Sequence, residues 1–124
     1  MAYQSILIID DSSTSRMIIQ RCFEIAGFGS SKFNFAENGL EGLNFLKNNP
    51  DIDLIVTDLN MPKLGGANFI KKLKGDPSAK IPPIMVISGV VDDDIEKELK
   101  TSGLVMEIIK KPISPVKLKQ ALGV

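Results

Sequence analysis

Ser5-Ile6-Leu7-Ile8-Ile9-Asp10-Asp11 decides how the chain is read. Four consecutive large apolar residues run straight into two adjacent carboxylates. The same grammar recurs at Asp53-Leu54-Ile55-Val56-Thr57 into Asp58, at Pro83-Ile84-Met85-Val86-Ile87 into Ser88, and at Glu107-Ile108-Ile109-Lys110 into Lys111-Pro112. Short apolar runs without polar alternation read as strands buried on both faces, the signature of a parallel sheet covered by helices. In an open α/β sheet, ligands bind outside the carboxyl ends of the strands. The expected fold therefore collects Asp10, Asp11, Asp58, Ser88 and Lys111 at one edge, a set suited to a divalent cation and a phosphoryl group.

Between the runs lie segments of helical period. The spacing predicts a first helix over about 14–26, with Ser12 or Ser13 as its cap and Gly27 as its stop. Ile18, Cys22 and Ile25 form its expected inner face, widened by Ile19, Phe23 and Ala26. A second strand is expected at 32–36, where Phe33 and Phe35 alternate with polar residues as on an edge. A second helix spans about 39–47, with Leu40, Leu43 and Leu46 as its apolar positions. A third covers about 67–74, with Phe69, Ile70 and Leu73 inward. A fourth, about 92–101, offers only Ile95 and Leu99 as anchors, and acidic residues open it in keeping with its dipole. The last begins with Ser114 as cap and Pro115 in its first turn, burying Leu118, Ala121 and Leu122.

A length of 124 residues fits one domain, 1–124, with room for a real core. Fifteen basic and fifteen acidic residues cancel, so no global field favours nucleic acid or an anionic membrane as a partner. No apolar segment reaches the length of a membrane span, and the first residues lack the pattern of a signal peptide. Cys22, the lone cysteine, reads as a small core residue. These features fit the cytoplasm. The chain contains no histidine, so it cannot itself carry a phosphohistidine or a histidine metal ligand.

Taken in order, Asp10-Asp11, Asp58 with Asn60-Met61-Pro62 and Gly66 after it, Ser88, and Lys111-Pro112 resemble the receiver domain of two-component response regulators, above all the chemotaxis type. The resemblance covers nearly the whole chain. It implies a doubly wound, flavodoxin-like five-stranded parallel sheet of order 2-1-3-4-5. It also implies a switch and not a turnover enzyme. A sensor histidine kinase or phosphotransfer protein would be the phosphodonor. A downstream protein would be met on the face of helix four, strand five and helix five. With no output domain after helix five, the signal is expected to leave through that surface, or else the chain is part of something longer.

The residues support this chemistry independently. Two carboxylates about 4 Å apart repel by roughly 4 kcal/mol at an effective dielectric near 20, and Asp58 adds to the repulsion. Such a cluster calls for a hard cation with oxygen ligands, Mg²⁺ first and Mn²⁺ in its place. By the resemblance, Asp11 ligates Mg²⁺ directly, Asp10 acts through water, and Asp58 and the Asn60 carbonyl complete the protein's share. Asp58 is the implied phosphoacceptor, attacking as a carboxylate nucleophile. The Lys111-Pro112 bond is implied to be cis, turning the lysine toward Asp58. Ser88 is the implied hydroxyl donor to the phosphoryl group and, with the strand-five position Ile108, part of the switch. Many relatives carry an aromatic at the latter position; isoleucine has no ring to swing.

Other readings fare less well. A haloacid-dehalogenase-type phosphatase wants an aspartate two residues beyond its nucleophile. Here Asp58 is followed at that spacing by Asn60, and Asp10 by Ser12. Neither a P-loop nor Gly-x-Gly-x-x-Gly is present for nucleotide binding. A degenerate receiver that binds proteins without phosphorylation is the remaining alternative, and the intact acid set opposes it.

Overall fold

A computed structural model describes residues 3–124. Five strands, β1 (Ser5–Ile9), β2 (Lys32–Ala36), β3 (Leu54–Thr57), β4 (Ile84–Ser88) and β5 (Val105–Lys110), form one sheet in the order β2-β1-β3-β4-β5. Every pairing is parallel. The helices are α1 (Ser13–Phe23), α2 (Gly39–Asn48), α3 (Gly66–Lys74), α4 (Asp93–Thr101) and α5 (Pro115–Leu122). This is the expected doubly wound, flavodoxin-like arrangement, with β2 at an edge.

Successive side chains of a strand point to opposite faces, and the core divides accordingly. Ile6 and Ile8 pack with α1 and α5 through Ile19, Phe23 and Leu118. Leu7 and Ile9 pack with α3 and α4 through Phe69, Ile70, Leu73 and Leu99. Burial on both faces is why the strands read as unbroken apolar runs.

Two helices turn differently from expectation. In α1 the buried residues are Ile19, Cys22 and Phe23, joined by Ala26 beyond it, whereas Ile18 and Ile25 are 48% and 57% exposed. Met17, Ile18 and Ile19 are consecutive, so the apolar pattern contains two adjacent stripes, and contact with the sheet selects the later one. The helix also ends sooner, at Phe23, and passes into a π-helical turn over Glu24–Phe28 in which Gly27 takes φ 109°. Gly27 does break the helix, through a left-handed conformation that glycine adopts without steric cost.

In α2, Leu40 is 48% exposed, and Gly39 and Gly42 are buried in its place. A Cβ on Gly39 would lie 2.7 Å from the Leu64 carbonyl oxygen, and one on Gly42 would lie 2.6 Å from Ile9 Cδ1. The helix thus approaches its neighbours along a glycine edge, and Leu40, between those positions, rotates outward. The caps expected at Ser12 and Ser114 form, and Asn38 and Asp92, which the sequence reading did not name as caps, cap α2 and α4 in the same way. Ser12, Asn38, Asp92 and Ser114 each accept a backbone N–H from three residues on. β5 begins two residues before the expected start, at Val105.

Candidate functional site

The ladder places the site residues beside one another. The Asp58 N–H donates to the Ile9 carbonyl at 3.0 Å, which sets Asp58 next to Asp10. The Lys111 N–H donates to the Ser88 carbonyl at 2.9 Å, which sets Lys111 against the end of β4. The Lys111-Pro112 peptide is cis, as the resemblance implies. Lys111 Nζ then reaches Asp58 Oδ2 at 2.9 Å and Asp10 Oδ2 at 3.0 Å. Carboxylates 101 and 53 positions away in the chain converge on one ammonium.

Asp10 is 1% exposed and fully engaged. Its Oδ1 accepts the Ser12 N–H at 2.9 Å, its Oδ2 accepts the Ser15 hydroxyl at 2.7 Å beside Lys111, and its carbonyl accepts the Arg16 guanidinium at 2.6 Å. Asp58 is also buried, and its Oδ1 accepts the Leu59 N–H at 2.6 Å. Asp11 is exposed. Carboxylate oxygens of Asp10, Asp11 and Asp58 lie within 4.8 Å of one another. One lysine against three such groups leaves negative charge in excess, and hard oxygen donors at this spacing fit a small divalent cation.

Burial alone would push the Asp58 carboxyl up. Hydrogen bonding from Lys111, Ser88 and the Leu59 N–H, with the Lys111 charge, outweighs that and holds it below the usual carboxylate range. Lys111 is the mirror case. Burial would lower its ammonium, and the hydrogen bonds and charges of Asp58 and Asp10 raise it. These shifts tie stability to pH in two windows. The depressed Asp58 contributes stability that is complete above the ordinary carboxylate pKa and is lost as pH falls through its lower folded value. The raised Lys111 contributes stability that is complete below the ordinary lysine pKa and is lost as pH rises through its higher folded value. Melting temperature measured against pH in excess chelator should therefore fall at both extremes. Lys111→Met should remove the alkaline limb's site component and shrink the acid limb, because Asp58 loses the donor and charge that depress its carboxyl. An unchanged acid limb would show that Lys111 does not hold Asp58 ionised.

The other expected residues sit around this core. Ser88 is buried at the end of β4, and its hydroxyl accepts the Val90 N–H at 3.4 Å. Asn60 is exposed in the loop after Asp58. Ile108 is half-buried and packs on the sheet face covered by α3 and α4. Ser15 and Arg16 did not emerge from the sequence reading. Their signal was available: a hydroxyl and a guanidinium on the first turn after Asp10-Asp11, where a helix start points back at the strand end. Gly66 has a steric role, since a Cβ there would lie 2.2 Å from the Asp58 carbonyl oxygen.

An acid, hydroxyl and lysine cluster at the carboxyl edge of this doubly wound sheet goes with a family match: the chain belongs to the response regulator receiver domain family, whose model matches residues 6–123. Among curated proteins it is 35% identical over 120 residues to chemotaxis protein CheY1 of Helicobacter pylori, covering 96% of this chain and 94% of that one. It is 40% identical over 111 residues to the sensor histidine kinase CheAY of the same species, covering 88% of this chain but only 13% of that longer protein. Among solved structures it is similar to the CheX-CheY-BeF3-Mg complex of Borrelia burgdorferi, with TM-score 0.82, 26% identity, and coverage of 96% and 86%. No helix among the described residues is long and apolar enough to cross a membrane.

Proposed function

We propose that residues 1–124 act as one phosphoacceptor receiver, in which Asp58 takes a phosphoryl group from the phosphohistidine of a sensor histidine kinase or phosphotransfer protein. The observation that carries this reading is the buried, ionised Asp58, with Lys111 Nζ at 2.9 Å and Ser88 alongside, at the carboxyl edge of the sheet. A carboxylate oxygen of Asp58 forms the new O–P bond as the P–N bond breaks, and the departing imidazole nitrogen keeps the electron pair. Lys111 and Ser88 donate to the phosphoryl oxygens, and Lys111 moves its hydrogen bond from the Asp58 carboxylate to the incoming group. Asp10 stays held by Ser12, Ser15 and Arg16. The chain modifies itself and turns over no external product.

Asp11, Asp58 and the Asn60 carbonyl would hold Mg²⁺, with Asp10 acting through water and Mn²⁺ able to substitute. When bound, the cation supplies charge neutralisation for the carboxylates and the transferring group. Incubation with acetyl phosphate and Mg²⁺ should add one phosphoryl group per chain in intact mass, and excess chelator should prevent it. No labelling with Mg²⁺ present would favour the degenerate, phosphorylation-independent module. Labelling unaffected by chelator would remove the cation from the reading.

Cation binding to the folded state should also raise melting temperature by mass action. Asp11→Asn should abolish most of that rise, because Asp11 is the exposed acid of the cluster and the one least engaged by protein donors. A full wild-type rise in this variant would reassign the direct ligand.

Output is expected on the α4-β5-α5 face. Phosphorylation brings a charge of about −1.5 to −2 to Asp58, and a Ser88 drawn toward it pulls on the loop 89–91 and the start of α4. Only Leu99 is buried in that helix, with Ile95 half-buried, so its displacement costs little compared with that of α1. With beryllofluoride and Mg²⁺, amide exchange should change over residues 90–101. Changes confined to α1 and α2 would place the output surface elsewhere.

A further inference from the structure

At the opposite end of the sheet from Asp58, a cavity of 520 Å³ opens between the last turn of α2, the last turn of α3 and the loop before β4. Leu46, Ile52 and Leu73 form part of its apolar lining, and Ile52 and Leu73 belong to the core. Lys47, Lys72 and Lys80 line it as well, and none of them forms an ion pair among the described residues. Asp76 is the lining's carboxylate, and one of its oxygens already accepts the Ser78 N–H at 2.9 Å and the Ser78 hydroxyl at 2.7 Å. The cavity therefore joins an apolar floor to a surround of three ammonium groups against one carboxylate, Asp76, whose charge Lys47 also faces.

We propose that this cavity binds a small amphipathic anion, an apolar chain or ring ending in a carboxylate or a similar acidic head. Its volume lies within the range of about 300–1,000 Å³ in which single small ligands are enclosed. An apolar body removes water from the floor, and the acidic head meets unpaired ammonium groups. An extended peptide has no place here. The cavity sits below the start of β3 and β4, which are interior strands, whereas the sheet's free edges are β2 and β5. The acid cluster is at the far end of β3, so binding requires neither phosphorylation nor a cation. Its outcome is separate from that of the phosphoacceptor reading.

The test uses the whole chain, labelled with ¹⁵N, and titrates decanoate below its micellar concentration, with decanol and decyltrimethylammonium alongside. Decanoate should bind saturably, with amide shifts centred on Leu46, Leu73 and Ala79, and more tightly than either counterpart. The combined substitution Lys47→Gln, Lys72→Gln, Lys80→Gln should weaken decanoate by about tenfold or more and leave decanol unchanged. Lys32→Gln, Lys97→Gln, Lys119→Gln, which removes the same charge elsewhere, should leave decanoate binding close to wild type. Equal binding of decanol or of the cationic amphiphile would overturn the proposal. So would scattered non-saturating shifts, or an equal loss in both triple variants, which would mean attraction to overall charge only.

Discussion

Asp58→Asn should reduce labelling by acetyl phosphate and Mg²⁺ to background while the protein still melts cooperatively. The amide keeps the size and shape of the carboxylate, so the loop after β3 can retain its path. What disappears is the ionised oxygen. An amide is a poor nucleophile toward phosphorus and supplies no anionic ligand to a cation. The remaining acids do not replace it. Asp10 has its two carboxylate oxygens committed to Ser12, Ser15 and Lys111, and Asp11 lies out at the exposed rim. In the variant, Lys111 retains Asp10 as a partner at 3.0 Å, so it is not stranded. Intact mass after a fixed incubation gives the comparison. Labelling of Asp58→Asn at the wild-type level would remove Asp58 as acceptor.

Gly66→Ala is expected to be the most damaging conservative change near the site. The added Cβ would lie 2.2 Å from the Asp58 carbonyl oxygen and 3.1 Å from Leu59 Cα. Both are backbone atoms of the segment that carries Asp58, so no flexible side chain can yield. The Gly66 N–H also donates to the Leu59 carbonyl at 3.0 Å, and a Cβ on neighbouring Gly65 would lie 2.7 Å from that same oxygen. The loop leaving β3 is folded directly onto the start of α3. Overpacking of this kind costs about 1–3 kcal/mol, and a domain of this size loses roughly 3–6 °C of Tm per kcal/mol. Because the displaced atoms belong to Asp58 and Leu59, labelling should slow as well. Gly29→Ala provides the contrast. Gly29 has φ −64° and nothing within 4 Å of an added Cβ, so the substitution should be neutral or stabilising through the unfolded chain. Equal melting of the two variants would show that the loop relaxes around Gly66.

The legible part of this protein was the part governed by local rules. Unbroken apolar runs such as Ile6–Ile9 have no exposed face, and that requires a sheet with helices on both sides. Phe33 and Phe35 alternate with polar residues, and β2 is indeed an edge strand. Capping was readable for the same reason, since Ser114 and its N–H partner on Lys117 are separated by three positions of chain. Helix faces were less secure. Periodicity ranks the possible stripes of α1, but the choice between Ile18 and Ile19 depends on where α5 and the sheet lie. In α2 the contact is made by glycines, which carry no hydrophobic signal at all.

The sequence by itself determined the strand-and-helix alternation and the chemical kind of each strand end: acid after β1 and β3, hydroxyl closing β4, lysine after β5. Parallel pairing then makes the carboxyl ends adjacent, so the strand-end members of the site follow from the chain alone, while Ser15 and Arg16 do not. Tertiary structure decided what those groups do to one another. Lys111 bridges Asp10 and Asp58 at 3.0 and 2.9 Å, Ser15 and Arg16 hold Asp10, and Asp11 is left at the surface. Those distinctions rest on contacts of 2.6–3.0 Å, those of Lys111 between residues far apart in the chain. Electrostatic and hydrogen-bond energies change steeply over such distances, and no one-dimensional pattern encodes them.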